Sequence, residues 1–362
     1  MTHKTPYNKL PLLPISFEDL MTPKIYKKVI KTNKELARLN GIEQMNNRKI
    51  SDIFLNSLVL TESIDSNIIE NINTTIDSVA LSDAIKDMRW NEKETMRYKD
   101  AMIYGLNKMQ SKGNILSLNM IIWIQEKIEE NNAWIRKTPG TKLKNEATWE
   151  IVYYPPELNY LDTLLTNLET YINTPEIDDL DVCIKSAIIH YQFESIHPFL
   201  DWNGRTWRIL ILLYLIKQDL LNFPILYISW YINQNKSDYY RLLQEVRKKN
   251  NWEEYVLYIL DAIEQQSKAT WDKILNINTL YKSKLFELKN NSKLSWIEKF
   301  CDLLFQKIYI SFWEILNNLD VSKPTLIKRL NELEEKWFIQ KLKDGKNTLY
   351  FLEEYLSILN NR

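Results

Sequence analysis

Between Ile196 and Arg208 the chain reads IHPFLDWNGRTWR, which gathers a base, a carboxylate, an amide and two guanidinium groups in one short segment. His197 is the proton acceptor on offer, because a neutral imidazole can take a hydroxyl proton near physiological pH. Asp201 is the only carboxylate within the segment and is placed to hold a magnesium ion against phosphate oxygens. Arg205 and Arg208 stand three apart, so a helix puts both on one face, where each can reach phosphate oxygens. Asn203 supplies an amide donor, and Gly204 lets the main chain come close to an anion. Together these groups describe phosphate-centred chemistry. The pattern is not a Walker A loop, since no G-x-x-x-x-G-K-[S/T] occurs. Each member alone has a plainer reading: His-Pro often just ends a helix, Asn-Gly makes turns, and helix arginines are mostly solvated or salt-bridged. Their conjunction carries the argument.

These groups converge only if His-Pro ends one helix and Asn203-Gly204 opens the next, whose unpaired N–H groups and dipole then favour phosphate. The flanking sequence supplies both helices. Apolar residues at spacings of three and four predict helices over Asp181–Ser195 and Gly204–Gln218. The same spacing predicts others over Asp52–Ile64, Glu94–Met109, Leu118–Ile128, Leu158–Ile172, Lys236–Lys248 and Trp252–Ile277. Two stretches break the pattern. Lys137–Pro156 opens on Pro-Gly, carries β-branched and aromatic residues and closes on paired prolines, which predicts a short β-hairpin. From Ser295 a helix over Trp296–Leu316 leads to a turn at Asn317–Ser322 and a second helix starting near Pro324. Leu326, Leu330, Leu333 and Trp337 continue that helix at regular spacing, and Lys341–Phe351 forms a hairpin turning at Asp344-Gly345. Helix, turn, helix and wing is a winged-helix outline.

The remaining composition bounds the setting. The 362 residues are 45% apolar with twelve tryptophans, enough for two or three domains with a sizeable core. Basic and acidic residues balance at 47 each, so no global field draws the chain to nucleic acid or to a membrane. Cys183 and Cys301 lie far apart among apolar residues, which suits core fillers in a reducing compartment rather than a disulfide or metal site. No secretory signal pattern occurs, and the greasy run Ile209–Ile216 is too short to span a bilayer. The chain reads as soluble and cytoplasmic.

The central segment resembles the Fic signature, H-P-F-x-[D/E]-G-N-G-R-x-x-R. Ala187–Ser195 (AIIHYQFES) is similar to the helix leading into that motif, and Pro224–Arg247 to the stretch following it. Pro139-Gly140 and Tyr153–Glu157 bracket what looks like the family's flap, so the resemblance covers roughly Phe17 to Ile263. It implies a mainly α fold: an N-terminal helical region (1–110), a Fic helical core with a small β-hairpin flap (111–265), a helical linker (266–295) and a winged-helix domain (296–362). It also implies a protein adenylyltransferase that moves AMP from ATP, with Mg2+, onto a Ser, Thr or Tyr hydroxyl. By that resemblance His197 deprotonates the hydroxyl and Asp201 binds magnesium, while Asn203 and the Gly204 backbone hold the α-phosphate. Arg205 would hold the β-phosphate and Arg208 the γ-phosphate. The implied ATP-binding set further takes in Glu70, His197, Trp202, Thr206 and Trp207, with Asn235 and Tyr240 at the adenosine. Phe199 is expected to anchor the loop. Trp202 departs from the signature, standing where the family has glycine; it either obstructs the phosphates, packs outward or stacks on nucleotide. Upstream, Ser66–Asn71 (SNIIEN) resembles the family's inhibitory motif, in which Ser66 and Glu70 share a helix face and Glu70 denies Arg208 to the γ-phosphate.

Other readings stand beside this one. The same Glu70 could activate water and remove AMP, reversing the reaction. His190, Glu194 and His197 lie on one helical stripe, but their spacing is wrong for an H-E-x-x-H zinc site, and His190 reads as a hydrogen-bonded core residue. Lys323, Lys328, Arg329, Lys336, Lys341, Lys343 and Lys346 dot the winged helix, yet Glu332, Glu334 and Glu335 share its second helix. DNA binding therefore ranks below protein contact there. The expected partner is a target protein docked on the flap over 141–154; self-modification and homo-oligomer formation stay open, and no membrane partner is expected.

Overall fold

The computed structural model describes residues 5–16, 20, 22–42, 48–130, 134–144, 149–291 and 296–361, and it is mostly helical. The described chain divides into two compact units: Met1–Ala37 with Arg97–Pro224 and Tyr231–Gln265, and Arg38–Met96 with Ile225–Trp230 and Gln266–Arg362. Four helices contribute to both: α1 (Pro23–Asn40), α4 (Trp90–Ser111), α9 (Ile228–Gln234) and α11 (Trp252–Asn291). Between them lie α2 (Arg48–Ile69), α3 (Ile76–Ile85), α5 (Leu118–Glu129), β1 (Leu143–Lys144), β2 (Ile151–Tyr153), α6 (Leu158–Asn173), α7 (Val182–Ile196), α8 (Asn203–Lys217) and α10 (Lys236–Lys249). The C-terminal elements are α12 (Ile297–Gln306), β3 (Ile310–Ser311), α13 (Phe312–Asn318), α14 (Lys323–Glu335), β4 (Gln340–Asp344), β5 (Asn347–Phe351) and α15 (Glu353–Asn360).

The first unit is built around α7 and α8. Both are buried along nearly their whole length, from Cys183 to Ile196 and from Arg205 to Ile216, as expected of helices apolar on every side. Asp181 starts α7 by accepting the Cys183 N–H at 2.8 Å. α5 and α6 pack on this pair. Gly105 of α4 lets that helix come close: a Cβ there would lie 2.9 Å from Leu213 Cδ1 and 3.0 Å from Ile124 Cδ1. The expected hairpin is present as the antiparallel pair β1–β2; residues 145–148 of the expected flap lie outside the described residues. The carbonyls of Val152 and Tyr154 are taken by the Gln244 amide and the Tyr7 N–H. The N-terminal segment is laced onto the same unit, Leu13 exchanging two main-chain hydrogen bonds with the Asn167 side chain.

The second unit packs α12 against α2 around Phe54, Tyr281, Phe305 and Tyr355. Its antiparallel sheet runs in the order β3–β5–β4. Three local expectations change here. The predicted helix Trp296–Leu316 is broken at Lys307, because Ile310 and Ser311 pair with Tyr350 and Leu349 as an edge strand. Ser311 then caps α13 through a capping box with Glu314. The hairpin turns one residue later than expected: Asp344 pairs with Asn347, and Gly345 takes the positive φ of 56°. Trp337 does not extend α14, which ends at Glu335; it adopts a left-handed φ of 59° and is 78% exposed.

Candidate functional site

The loop from His197 to Trp202 joins two buried helices, and its shape follows from how each helix ends. His197 caps α7 in the left-handed conformation (φ 49°, ψ 63°), its N–H closing the last turn on the Phe193 carbonyl at 2.9 Å. Pro198 then has no N–H with which to continue the helix. Asn203 opens α8 and is itself buried; its Oδ1 accepts the Phe199 N–H and its Nδ2 donates to the Phe199 carbonyl, both at 2.9 Å. The Asn203 amide is therefore a clasp that folds the loop onto fully buried Phe199, beyond the phosphate donor expected of it. The first intrahelical bond is Thr206 N–H to the Trp202 carbonyl at 2.9 Å, so the amides of Asn203, Gly204 and Arg205 precede it at the positive end of the helix.

Of the expected cationic and acidic groups, Arg205, Arg208 and Asp201 lie at this end of α8. Arg205 and Arg208 follow in the first two turns of α8, both buried. The Arg205 guanidinium carbon lies 2.9 Å from the centre of the Trp202 ring. Asp201 is exposed and accepts the Trp202 N–H at 2.7 Å. Trp207 and Thr206 are fully buried, and the Trp207 ring stacks on His190 with centroids 3.5 Å apart, so that side chain belongs to the core. Asn235 turns its amide onto the Tyr231 carbonyl at 2.9 Å, while Tyr240 is 49% exposed beside the buried ring of Tyr239. Ser66 is buried in α2, whereas Glu70 lies one residue beyond that helix, exposed, with its N–H on the Asn67 carbonyl.

Several residues that organise the loop carry no signal in the sequence. Buried Arg136 donates through Nε to the His197 carbonyl at 2.9 Å and through its guanidinium to the Pro156 and Ile196 carbonyls. Its own N–H reaches the Pro198 carbonyl at 2.8 Å. Tyr153, from the flap, donates its hydroxyl to the Ser195 carbonyl at 2.7 Å, and Arg247 stacks on the Tyr153 ring at 3.7 Å. A lone arginine ahead of a hairpin has no spacing rule to mark it, and only the fold brings Arg136 and Arg247 to the loop. His190 is hydrogen-bonded through both nitrogens, to Tyr239 at 2.9 Å and to Tyr255 at 2.7 Å. Among the described residues no three His, Cys, Asp or Glu side chains converge to hold a metal ion.

This environment fixes the protonation of the base. Burial first, and then the Arg136 and Arg247 charges, lower the His197 imidazole to about 3, against a smaller upward pull from a Glu194 backbone hydrogen bond. Burial and the Arg208 and Arg247 charges hold His190 well below its ordinary value. Both rings are therefore neutral near pH 7, which leaves the His197 lone pair unprotonated. Free histidine titrates near 6.5, so below that pH the unfolded chain takes up protons that the folded chain refuses. For His197, stability is at its full level above about pH 6.5 and falls toward pH 3 by about 1.4 kcal/mol per pH unit. Urea denaturation between pH 7.5 and 5.5 is expected to show this loss, and His197→Gln to show a shallower one.

The comparisons with known proteins fall on the same segments. Residues 115–215 match the Fic/DOC family model, and residues 26–107 match the model of the Fic/DOC family N-terminal region. A probable protein adenylyltransferase from Aquifex aeolicus is 24% identical over 237 residues, 65% of this chain and 66% of that protein. The protein adenylyltransferase Fic of Drosophila erecta is 30% identical over 126 residues, 35% of this chain. The match spans 24% of the fly protein's length, and the Aquifex match falls just short of two thirds. A Fic family protein from Desulfovibrio desulfuricans has the same fold, with a TM-score of 0.55, 19% identity and coverage of 92% of this chain and 97% of that one.

Proposed function

Because the chain belongs to the Fic/DOC family, we propose that it transfers AMP from ATP to a Ser, Thr or Tyr hydroxyl of a protein. The observation that carries this reading is the neutral His197 capping α7 directly ahead of a helix N-terminus whose first two turns bear Arg205 and Arg208. In this mechanism His197 takes the proton of the target hydroxyl as its oxygen attacks the α-phosphorus of ATP. The bond from that phosphorus to the bridging oxygen breaks, and pyrophosphate leaves. The α8 amides and Arg205 face the charge that gathers on the phosphate oxygens, and Arg208 holds the terminal phosphate. Tyr240 and Asn235 would flank the adenosine.

One exposed carboxylate at the mouth of a phosphate cradle is the usual protein share of a Mg2+ bound mainly through nucleotide oxygens, so Asp201 fits that role. Bound there, the ion would neutralise phosphate charge. Glu70 is proposed to restrain transfer; the likeness of Ser66–Asn71 to the inhibitory motif supports this. An extended target segment would dock along β1, since two carbonyls at β2 already have partners. The helix, strand, helix-turn-helix and hairpin order of residues 297–351 supports a winged helix, and exposed Trp313 and Trp337 favour a protein contact there over DNA. No described helix is long and apolar enough to cross a membrane. Two buried free cysteines suit a cytoplasmic setting.

The test is incubation of the full chain with Mg2+ and ATP labelled on the α-phosphate or, in parallel, on the γ-phosphate, followed by mass spectrometry of the protein and of candidate targets. AMP on a hydroxyl side chain is the expected result. Label appearing only from the γ-phosphate, or no label on any protein, overturns the reading.

A further inference from the structure

The residue that opens the site helix is selected by neither of the usual requirements of its position. Trp202 stands at the N-cap of α8 with φ 68° and ψ 12°, a left-handed conformation that glycine adopts without penalty. Its side chain makes no capping bond, which Ser, Thr, Asp or Asn would supply. What the indole does is hold Arg205, whose guanidinium carbon lies 2.9 Å from the ring centre while the arginine is 4% exposed. The Trp202 main chain is fixed independently of the ring, its N–H on Asp201 and its carbonyl on the Thr206 N–H. The ring can therefore swing away without unwinding the helix.

We propose that Trp202 is a specificity-determining gate on Arg205, its indole face occupying the guanidinium until a nucleotide with a second phosphate displaces it. This rests on the reading of Arg205 as a phosphate clamp given above. A guanidinium over an aromatic face is bound by the ring's negative face, and a phosphate offers the same cation a full charge and two oxygens. The phosphate wins, but its binding is weakened by the ring contact it must break. A ligand that makes no use of Arg205 does not meet this cost. The gate therefore narrows the preference for ADP and ATP over AMP, and it holds Arg205 out of solvent in the empty site.

Calorimetric titration of AMP, ADP and ATP into the full chain and into Trp202→Gly, Trp202→Phe and Trp202→Leu tests the gate. The expected result is that Trp202→Gly tightens ADP and ATP about three- to tenfold and leaves AMP within about twofold, with the phenylalanine form between. In an Arg205→Gln background the Trp202→Phe change should no longer move ADP affinity. Equal or tighter ADP binding by the tryptophan form overturns the gate. So does parallel tightening of AMP and ADP, which marks the ring as a simple obstruction. Should Trp202→Gly fail to fold by thermal melting, the phenylalanine and leucine forms carry the same comparison. A split between AMP and ADP without any AMP transfer would leave the gate standing and sink the transferase reading. Transfer without the split does the reverse, and no nucleotide binding in any form sinks both.

Discussion

Replacing His197 with alanine is expected to lower the proposed AMP transfer by on the order of a hundred- to ten-thousandfold, with the fold intact. The loop does not depend on the imidazole: Arg136 grips main-chain carbonyls, and Asn203 grips Phe199. Near-UV circular dichroism and nucleotide titration should therefore look like those of the parent chain. The neutral state of His197 makes the effect a loss of chemistry rather than of charge, since the ring brings no cation to the phosphates at pH 7. Wild-type transfer by the alanine form, measured with labelled ATP, would remove His197 from the mechanism.

Replacing Glu70 with glycine is expected to raise self-modification about tenfold or more, the scale of one charge-assisted bidentate contact. The proposed restraint acts through Arg208, because one guanidinium cannot fork onto a carboxylate and a γ-phosphate at once. AMP and ADP affinities should change little, since neither ligand uses the γ-site. Arg208→Ala should not copy the gain, because it removes the clamp together with the brake. Time courses of protein-bound label for the three forms read this directly. Unchanged or lowered transfer in Glu70→Gly would dismiss the restraint and favour the AMP-removing role for that carboxylate.

How much of this was legible in the sequence depended on whether the signal was local. Helix existence followed the apolar spacing, and α7 and α8 run over Val182–Ile196 and Asn203–Lys217, within a residue or so of expectation, whereas α2 and α11 overrun theirs to Arg48–Ile69 and Trp252–Asn291. Local signals failed where a distant partner decides the outcome. Ile310 and Ser311 have nothing in their own spacing to mark a strand, and only Tyr350 and Leu349 make them one. Trp337 fits a helical repeat by position, yet the turn after α14 leaves it exposed. At the site, the motif named the groups proposed to hold phosphate but not those that shape the loop. Arg136, Tyr153 and Arg247 act on main-chain carbonyls or rings reached only after folding. The clasp of Asn203 on Phe199 was equally hidden, because an amide four residues from Phe199 reads the same whether it faces a ligand or its own backbone.

The way Arg136 holds the loop bears on how freely such a site can change over generations. It binds the carbonyls of Ile196, His197 and Pro156, and its own N–H binds that of Pro198. A carbonyl is the same group whatever side chain hangs beside it, so this grip does not register which residues the loop carries. Side chains between Pro198 and Asn203 can therefore be exchanged without loosening the anchor, provided that Phe199 still fills its pocket. Arg136 itself has no such freedom, since lysine could reach one of those oxygens but not fork across several. A rigid, sequence-blind hold lets a lineage try a residue as unlikely as Trp202 at the N-terminus of the helix without first losing the shape of the loop.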